Sequence, residues 1–381
     1  MATSIEIDVI AGCYERSLIG YRLIKKNDEE YIFQMKFTNN SHTGCVKALA
    51  STNNFLASGS TDEMIQLYNL KTNCEVGSLM HHKGSVTCLC FHDNRHMLSC
   101  SEDGTVCVWS TKDWECHKVL RGHRSEVLSV AVHPSGKLAM SVGKDKTLRT
   151  WNLIQGRSAY ITNLKAVSEL ILWNPSGTKY FVVIDNRVDV YQLETAKVIA
   201  SYKFSGKIIS AALIQDDYVV VGGEGEMIEV FSASESNPVC LCKWKAHENR
   251  VKAIKSIRAS VSSEQSGSYW LFTASSDGHI KAWTIDVEKI TEQPHLLASV
   301  DTTARLTCLT VRTAKNFQQD ASKLGSSQSE VAVKNKTKRN RNRDRKPKLQ
   351  QSSSNENSKR VLEENVDAKV VKKKKKKVSN A

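Results

Sequence analysis

Apolar residues alternate with polar ones over much of residues 5–312, in short runs separated by turn residues. Examples are LASGS, MLSCS, AMSVG and LFTAS, each followed closely by an aspartate in a turn. Alternation with a period of two places apolar side chains on one face, which is typical of half-buried β-strands. The pattern therefore predicts an all-β body built from short strands.

A strand-ending aromatic residue returns along the chain at nearly constant intervals. The intervals are 47, 41, 42, 40, 40 and 52 residues, and the positions are Tyr21, Tyr68, Trp109, Trp151, Tyr191, Phe231 and Trp283. A period of about forty residues, each unit carrying strands and turns, is typical of propellers with four-stranded blades. We therefore predict a seven-bladed β-propeller over residues 1–312.

Three further residue types recur at set distances from these aromatics. A turn aspartate lies six residues before five of the aromatics; in all but the pair Asp185 and Tyr191, a hydroxyl residue lies four before the aspartate and a histidine precedes both. The complete sets are His82, Ser99, Asp103, Trp109; His123, Ser141, Asp145, Trp151; and His247, Thr273, Asp277, Trp283. A partial set has tyrosine as its aromatic: His42, Ser58, Asp62, Tyr68. Buried imidazole and carboxylate groups are tolerated when every polar atom has a partner, so these sets predict structural networks.

A histidine, an aspartate and a hydroxyl could also form a hydrolase triad. Repetition at blade spacing favours the structural interpretation, because an enzyme needs one convergent site. The sets resemble the repeats of the WD40-type propeller family, although no repeat here has a literal Trp-Asp pair. The resemblance implies a hydrogen-bonded chain through each set, a non-enzymatic role, and no cofactor.

The two ends of the repeat region are predicted to share one closing blade. LTCLTVR at 306–312 fits its first strand, and IEIDVIAG, SLIGYRLI and YIFQMKF near the N-terminus fit the other three. Joining the ends removes two open sheet edges. A polar insertion at 259–268 explains the longest interval, and the repeats at 163–193 and 204–233 lack the histidine.

The formal net charge of +14 is divided unevenly along the chain. Residues 1–311 contain 33 Lys or Arg and 33 Asp or Glu, whereas residues 312–381 contain 21 and 7. The segment 313–381 is rich in Ser, Gln, Asn and Lys, which predicts a disordered basic tail.

Two cationic clusters in the tail are typical of nuclear or nucleolar import signals and of sequence-blind RNA contacts. Their residues are Lys336, Lys338, Arg339, Arg341, Arg343, Arg345, Lys346, Lys348, Lys372, Lys373, Lys374, Lys375, Lys376 and Lys377. The alternatives are a merely solubilising tail, or attraction to anionic lipid, for which no lipidation motif is present. We predict a nuclear, nucleolar protein that binds import receptors and does not bind membranes.

The eleven cysteines do not indicate a secreted protein. The N-terminal MATSIEIDVIAG lacks the features of a signal peptide, and no apolar run reaches the roughly 18 residues of a membrane span. We interpret the cysteines as core residues in a reducing compartment. Their scattered positions predict no metal site.

Loops at one face of a propeller commonly bind partners. Lys83, Arg121, Arg124 and Arg250 flank the histidine-bearing turns and are candidate contacts on that face. The alternative is ordinary solvated charge, which is frequent in loops.

The opening block MATSIEIDVIAGCYERSLIGYRL, the segment LASGSTDEMIQLYNL and the lysine-rich end resemble the PAK-interacting branch of the WD-repeat family, which has fungal nucleolar members. This resemblance implies a scaffold in large-ribosomal-subunit assembly, with pre-ribosomal proteins and rRNA as partners. It also implies binding and restraint of the Rac-activated kinase PAK through its regulatory region. A protein that serves mainly as a PAK inhibitor, or as an adaptor or reader for another protein, remains the alternative, because fold alone does not choose a function.

Overall fold

Seven four-stranded antiparallel sheets make up the described part of the protein. The computed structural model describes residues 6–26, 30–233, 239–259 and 267–314. The predicted all-β, seven-bladed propeller is confirmed. The predicted basic tail lies outside the described residues, apart from residues 313 and 314, which continue the last strand.

The strands are used in chain order, and the blades are numbered from the first complete one. The N-terminal strands are β1 (Glu6–Cys13), β2 (Leu18–Lys25) and β3 (Tyr31–Asn39). Blade 1 contains β4 (Val46–Ser51), β5 (Phe55–Ser60), β6 (Met64–Asn69) and β7 (Cys74–Met80). Blade 2 contains β8 (Val86–Phe91), β9 (His96–Ser101), β10 (Thr105–Ser110) and β11 (Cys116–Arg121). Blade 3 contains β12 (Val127–Val132), β13 (Leu138–Gly143), β14 (Thr147–Asn152) and β15 (Arg157–Asn163).

The second half of the ring repeats the same order. Blade 4 contains β16 (Leu170–Trp173), β17 (Lys179–Ile184), β18 (Arg187–Gln192) and β19 (Val198–Lys203). Blade 5 contains β20 (Ile208–Ile214), β21 (Tyr218–Gly223), β22 (Met227–Ser232) and β23 (Cys240–Lys245). Blade 6 contains β24 (Val251–Arg258), β25 (Ser268–Ser275), β26 (His279–Asp286) and β27 (His295–Asp301), with a short 3-10 helix at Val287–Lys289. The last strand is β28 (Leu306–Ala314).

The ring is closed through its first strands. Each first strand contacts the first strand of the next blade, from β4 with β8 through to β24 with β28, and β28 contacts β4. Seven apolar clusters each join two neighbouring sheets. The core is therefore distributed around the ring, as expected where every unit must bury its faces against its neighbours.

Every recurring aromatic lies on the third strand of its blade, at a break in register. The strand pair shifts register at Tyr21, Tyr68, Trp109, Trp151, Tyr191, Phe231 and Trp283. A bulge bends a strand and re-aims the side chain beside it. The forty-residue aromatic period in the sequence is therefore the period of a bulge that recurs in all seven blades.

The closing blade has the order β28, β1, β2, β3, so both ends of the described body belong to one sheet. A buried ion-pair cluster lies in this sheet. Asp8 Oδ1 accepts from Arg22 Nε at 2.6 Å, and Asp8 Oδ2 accepts from Arg312 Nη2 at 2.6 Å. Arg312 also donates to the Asn53 carbonyl of blade 1 at 2.6 Å. Asp8 thus joins the first strand of the chain to the last, and Arg312 ties that blade to the next.

Within the described ranges, no helix is long and apolar enough to cross a membrane.

Candidate functional site

The network of blade 2 links four side chains from three elements. His82 precedes β8, Ser99 lies on β9, and Trp109 lies on β10. His82 Nε2 is 2.7 Å from Ser99 Oγ, and His82 Nδ1 is 3.1 Å from Asp103 Oδ2. Trp109 Nε1 donates to Ser99 Oγ at 2.8 Å. The turn, the second strand and the third strand are therefore tied together inside the blade.

The directions of these hydrogen bonds are set by the two ends of the chain. The Asp103 carboxylate can only accept, so His82 donates to it from Nδ1, and Nε2 of the neutral ring accepts the proton of the Ser99 hydroxyl. Trp109 Nε1 can only donate, so Ser99 Oγ accepts from it. Ser99 is fully buried and its oxygen already has two partners. This geometry suits a structural network and leaves the hydroxyl no access to a substrate.

The other two complete sets repeat the same geometry. In blade 3, His123 lies 2.8 Å from Ser141 and 2.9 Å from Asp145, and Trp151 lies 2.8 Å from Ser141. In blade 6, His247 lies 2.8 Å from Thr273 and 3.2 Å from Asp277, and Trp283 lies 3.1 Å from Thr273.

Blade 1 departs from this geometry at its aromatic. His42 contacts Ser58 at 2.7 Å and Asp62 at 2.9 Å. The Tyr68 hydroxyl donates instead to Asn39 Oδ1 at 3.2 Å, on the fourth strand of the closing blade. Tyrosine in place of tryptophan therefore redirects one hydrogen bond from within the blade to the blade boundary.

Among the described residues, blades 4 and 5 and the closing blade have no such network because the hydroxyl position is apolar. The residues ten positions before the aromatic are Phe181, Val221 and Ala11, all buried. In these blades the space beside the third strand is filled by apolar contacts, and Phe181 packs with Tyr202 and Phe231 in one cluster.

The environment of the histidine in each of the three complete sets favours its neutral form. Burial lowers the pKa of His82 and of His123, and it lowers the pKa of His247 to about 4, although a carboxylate lies beside each ring. Burial alone would raise the pKa of Asp103, yet hydrogen bonds from Thr105 and from the Lys83 N–H hold it below its usual range. The neutral-histidine, charged-aspartate pairing agrees with the hydrogen-bond directions above.

These shifts predict that the propeller loses stability in mild acid. A histidine whose folded pKa is lowered stabilises the protein fully above its unfolded pKa of about 6.5, and this stability is lost as the pH falls towards the folded value. For His247 the loss is about 2 kcal/mol at pH 5 and about 3 kcal/mol at pH 4, and His82 and His123 act in the same direction. Urea midpoints measured from pH 7 to pH 4.5 test this. His247→Gln should reduce the slope, whereas an unchanged or rising midpoint on acidification would contradict the prediction.

The four sequence-predicted contact residues are all exposed, and three of them lie beside network histidines. The Lys83 N–H donates to Asp103 at 3.0 Å and the Arg124 N–H donates to Asp145 at 3.0 Å, so these loops are anchored by the networks. Lys83 and Arg121 line one shallow groove of about 130 Å³. Since all blades have the same strand order, their histidine-bearing loops share one face of the ring, named here the loop face.

The fourth candidate, Arg250, belongs to a cationic group that sequence reasoning missed. Half-buried Lys252 has its pKa lowered by burial and then by Arg250 and Arg305. The Arg305 guanidinium lies 5.2 Å from the centroid of the Tyr14 ring, and Tyr14 is 57% exposed. Arg250, Lys252 and Arg305 are named here the Arg250 patch. Its members were not recognised together because Arg305 comes from the loop before β28, 53 residues after Lys252.

The face therefore combines rigid anchored loops, exposed cations and one exposed aromatic ring. An aromatic beside arginine is a common anchor in protein–protein interfaces. Such a surface suits binding of a protein partner that carries negative charge.

Comparison with known proteins agrees with this geometry. The WD domain, G-beta repeat profile matches residues 33–69, 73–110, 114–152 and 238–284. A relative from Xenopus laevis, "p21-activated protein kinase-interacting protein 1-like", is 48% identical over 303 residues, covering 80% of this chain and 81% of that protein. "Shk1 kinase-binding protein 15" from Schizosaccharomyces pombe is 28% identical, covering 77% and 83%. Among solved structures, "Structure of U3-55K" matches with a TM-score of 0.60 at 13% identity, covering 68% and 83%, which shows the fold alone.

The repeats, the hydrogen-bonded sets and the closed ring define a WD-repeat propeller. With 48% identity over four-fifths of both chains, the protein belongs to the p21-activated protein kinase-interacting protein 1 family. The resemblance to this branch of WD-repeat proteins, with fungal relatives, is confirmed.

Proposed function

We propose that this protein is a non-enzymatic nucleolar scaffold in maturation of the large ribosomal subunit. The observation that carries the proposal is the separation of charge between an electrically neutral propeller and a tail that holds the whole excess of +14. The resemblance to nucleolar members of the family supports the same assignment. The propeller would bind pre-ribosomal proteins through its loop face, and the tail would contact rRNA and import receptors.

Depletion of the protein tests this proposal in cells that express it. We expect fewer large-subunit precursors and fewer mature large subunits, with small subunits less affected. Re-expression of the full chain should restore the sucrose-gradient profile. Unchanged ribosome profiles after depletion would contradict the proposal.

The tail gives a separate prediction. Replacement of Lys372–Lys377 by glutamine should leave the melting temperature unchanged, because these residues follow the last described strand by more than fifty positions in the sequence, but should disperse nuclear staining. RNA binding by the full chain should weaken steeply with salt, and the variant should show a shallower salt dependence because it neutralises fewer phosphates. An early-melting variant, or unchanged nuclear staining, would show that the lysine run has a different role.

A second function is favoured by the names of two relatives, which refer to interaction with or binding of a kinase. We propose that the loop face also binds the regulatory region of a p21-activated kinase and restrains it. The Arg250 patch is the proposed contact, because its three neighbouring cations would attract acidic groups on a partner.

Pull-down of the kinase regulatory region with full-length variants tests the second function. Arg250→Glu and Arg305→Glu should each weaken binding by about tenfold or more, since close charge pairs at interfaces are worth about 1.5 kcal/mol upward. Lys112→Glu is a matched control, because Lys112 is an exposed cation in a loop on the opposite face. Binding that is insensitive to the patch but lost when the tail lysines are replaced would indicate non-specific charge attraction.

A further inference from the structure

In blades 2, 4 and 5, the third-strand residue two positions before the recurring aromatic has a polar side chain or thiol that lies close to side chains from other elements of the blade. In blade 5 this residue is Glu229, which accepts from Ser205 of the preceding loop at 3.0 Å and pairs with Lys243 of the fourth strand at 2.7 Å. In blade 4 it is Asp189, which accepts from Ser201 of the fourth strand at 2.7 Å. The position therefore receives polar partners from the preceding loop and from the neighbouring strand.

In blade 2 all three contributors to this position are metal-ligating residues. Cys107 is the third-strand residue, His81 comes from the preceding loop, and Cys116 opens the fourth strand. One imidazole nitrogen and the two sulfur atoms all lie within 4.8 Å of one another. The register break at Trp109 sets Cys116 opposite that aromatic. This convergence is not apparent from the order of residues, because the three are separated by 26 and 9 positions.

The surroundings hold these groups in place and leave one side open. Cys107 is fully buried and Cys116 is half-buried, whereas His81 is exposed. The His81 ring packs edge-on against Trp109, with centroids 5.9 Å apart, and Trp109 is itself fixed by Ser99. His81 also lines the groove shared by Lys83 and Arg121. A ligand entering from the loop face would reach the imidazole first and the sulfur atoms behind it.

We propose that His81, Cys107 and Cys116 bind a zinc ion, with water in the fourth position. Two sulfur ligands and one imidazole are a donor set that zinc prefers, and tetrahedral coordination at a Zn–S distance of about 2.3 Å needs sulfur atoms about 3.8 Å apart. The ligand atoms lie within 4.8 Å of one another, so the sulfur atoms need to approach by no more than about 1 Å, which side-chain rotation allows. Each thiol releases its proton when its sulfur bonds to the metal, so two protons leave as one Zn²⁺ enters. The two thiolate charges balance the dication.

Binding would couple a loop to the blade behind it. His81 lies next to His82 and Lys83, so metal coordination would tie the cationic loop of blade 2 to β10 and β11. This effect is independent of the proposed ribosomal and kinase functions.

Cobalt substitution in the reduced, untagged full-length protein tests the site. Wild-type protein should bind one Co²⁺ with a thiolate-to-cobalt charge-transfer band, and Zn²⁺ should displace it with release of two protons. His81→Ala and Cys116→Ser should each weaken cobalt binding more than about tenfold. Replacing a residue that only supports a metal ligand already weakens metal affinity by about that factor, and loss of the ligand itself should weaken it more. These two positions are preferred over fully buried Cys107, whose replacement could unfold the blade.

Cys74→Ser is the matched control, because Cys74 is an exposed thiol on blade 1. It should bind cobalt like the wild type, and circular dichroism should show all variants folded. The proposal is overturned if the wild type gives no charge-transfer band, if the band survives in both His81→Ala and Cys116→Ser, or if Cys74→Ser loses it equally.

Discussion

Replacement of Asp8 by alanine should lower the free energy of unfolding by about 3–5 kcal/mol, the cost of breaking a buried ion pair from one side. The carboxylate is 7% exposed and accepts hydrogen bonds from both Arg22 and Arg312. Its removal would leave Arg312 without its carboxylate partner beside Arg22, which would keep only its ion pair with Glu6. The defect falls where the two ends of the ring are joined, so it weakens closure itself.

Equilibrium urea unfolding measures this effect, and limited proteolysis measures opening of the ring. Asp113→Ala is the control, since Asp113 is an exposed acid in a loop of blade 2, and its urea midpoint should stay close to that of the wild type. Asp8→Asn should fall between the two, because it keeps an acceptor while removing the charge. A change below about 1 kcal/mol for Asp8→Ala would show that closure does not depend on this cluster.

Replacement of Trp109 by alanine should destabilise the propeller by about 3–5 kcal/mol. The indole is 3% exposed and packs at the interface between blades 1 and 2, so its loss leaves a large cavity. Ser99 Oγ would also lose one of its two hydrogen-bond partners in the network. Asp103→Ala should cost about 3 kcal/mol, because it leaves a buried imidazole donor without its acceptor.

Two further variants separate packing from hydrogen bonding. Trp109→Phe keeps an aromatic ring and removes the N–H donor. The part of its destabilisation that comes from the lost hydrogen bond should be about 1 kcal/mol. Tyr191→Ala in blade 4 serves as a comparison, because Tyr191 is only half-buried and belongs to a blade without a network. If Tyr191→Ala lowered the free energy of unfolding as much as Trp109→Ala does, the hydrogen-bonded networks would not make their blades more important to the stability of the ring.

Much of the fold could be predicted from the sequence because every blade repeats the same local arrangement of strands and turns. The six-residue offset from Asp103 to Trp109 spans the turn between the second and third strands and most of the third strand. It therefore places the carboxylate in this turn, within reach of the histidine. The aromatic period survives even in blades 4 and 5, where the histidine is absent, because the bulge on the third strand persists. Local geometry of this kind leaves a pattern in a single sequence.

Contacts made between distant segments left no such pattern. Asp8 and Arg312 are 304 residues apart, and neither lies at a repeated offset. The Arg250 patch likewise depends on the meeting of blade 6 with the closing blade. The redirected Tyr68 hydroxyl needs Asn39, which belongs to a different sheet. The Asp8–Arg312 pair arises because the two ends of the repeat region share one sheet, and the other two contacts arise where neighbouring sheets meet. Periodicity within one repeat encodes neither.

The inner strand of the closing blade is also the last strand to leave the ribosome during synthesis. At about 5–20 residues per second, translation reaches Arg312 about 15–60 s after Asp8. Throughout that interval β1 presents an edge that β28 occupies only once it has been synthesised, which invites wrong pairing with other nascent chains. Completion of the ring thus waits for the last strand, and a message cut short before Leu306 would yield a product with a permanently open edge for quality control to recognise.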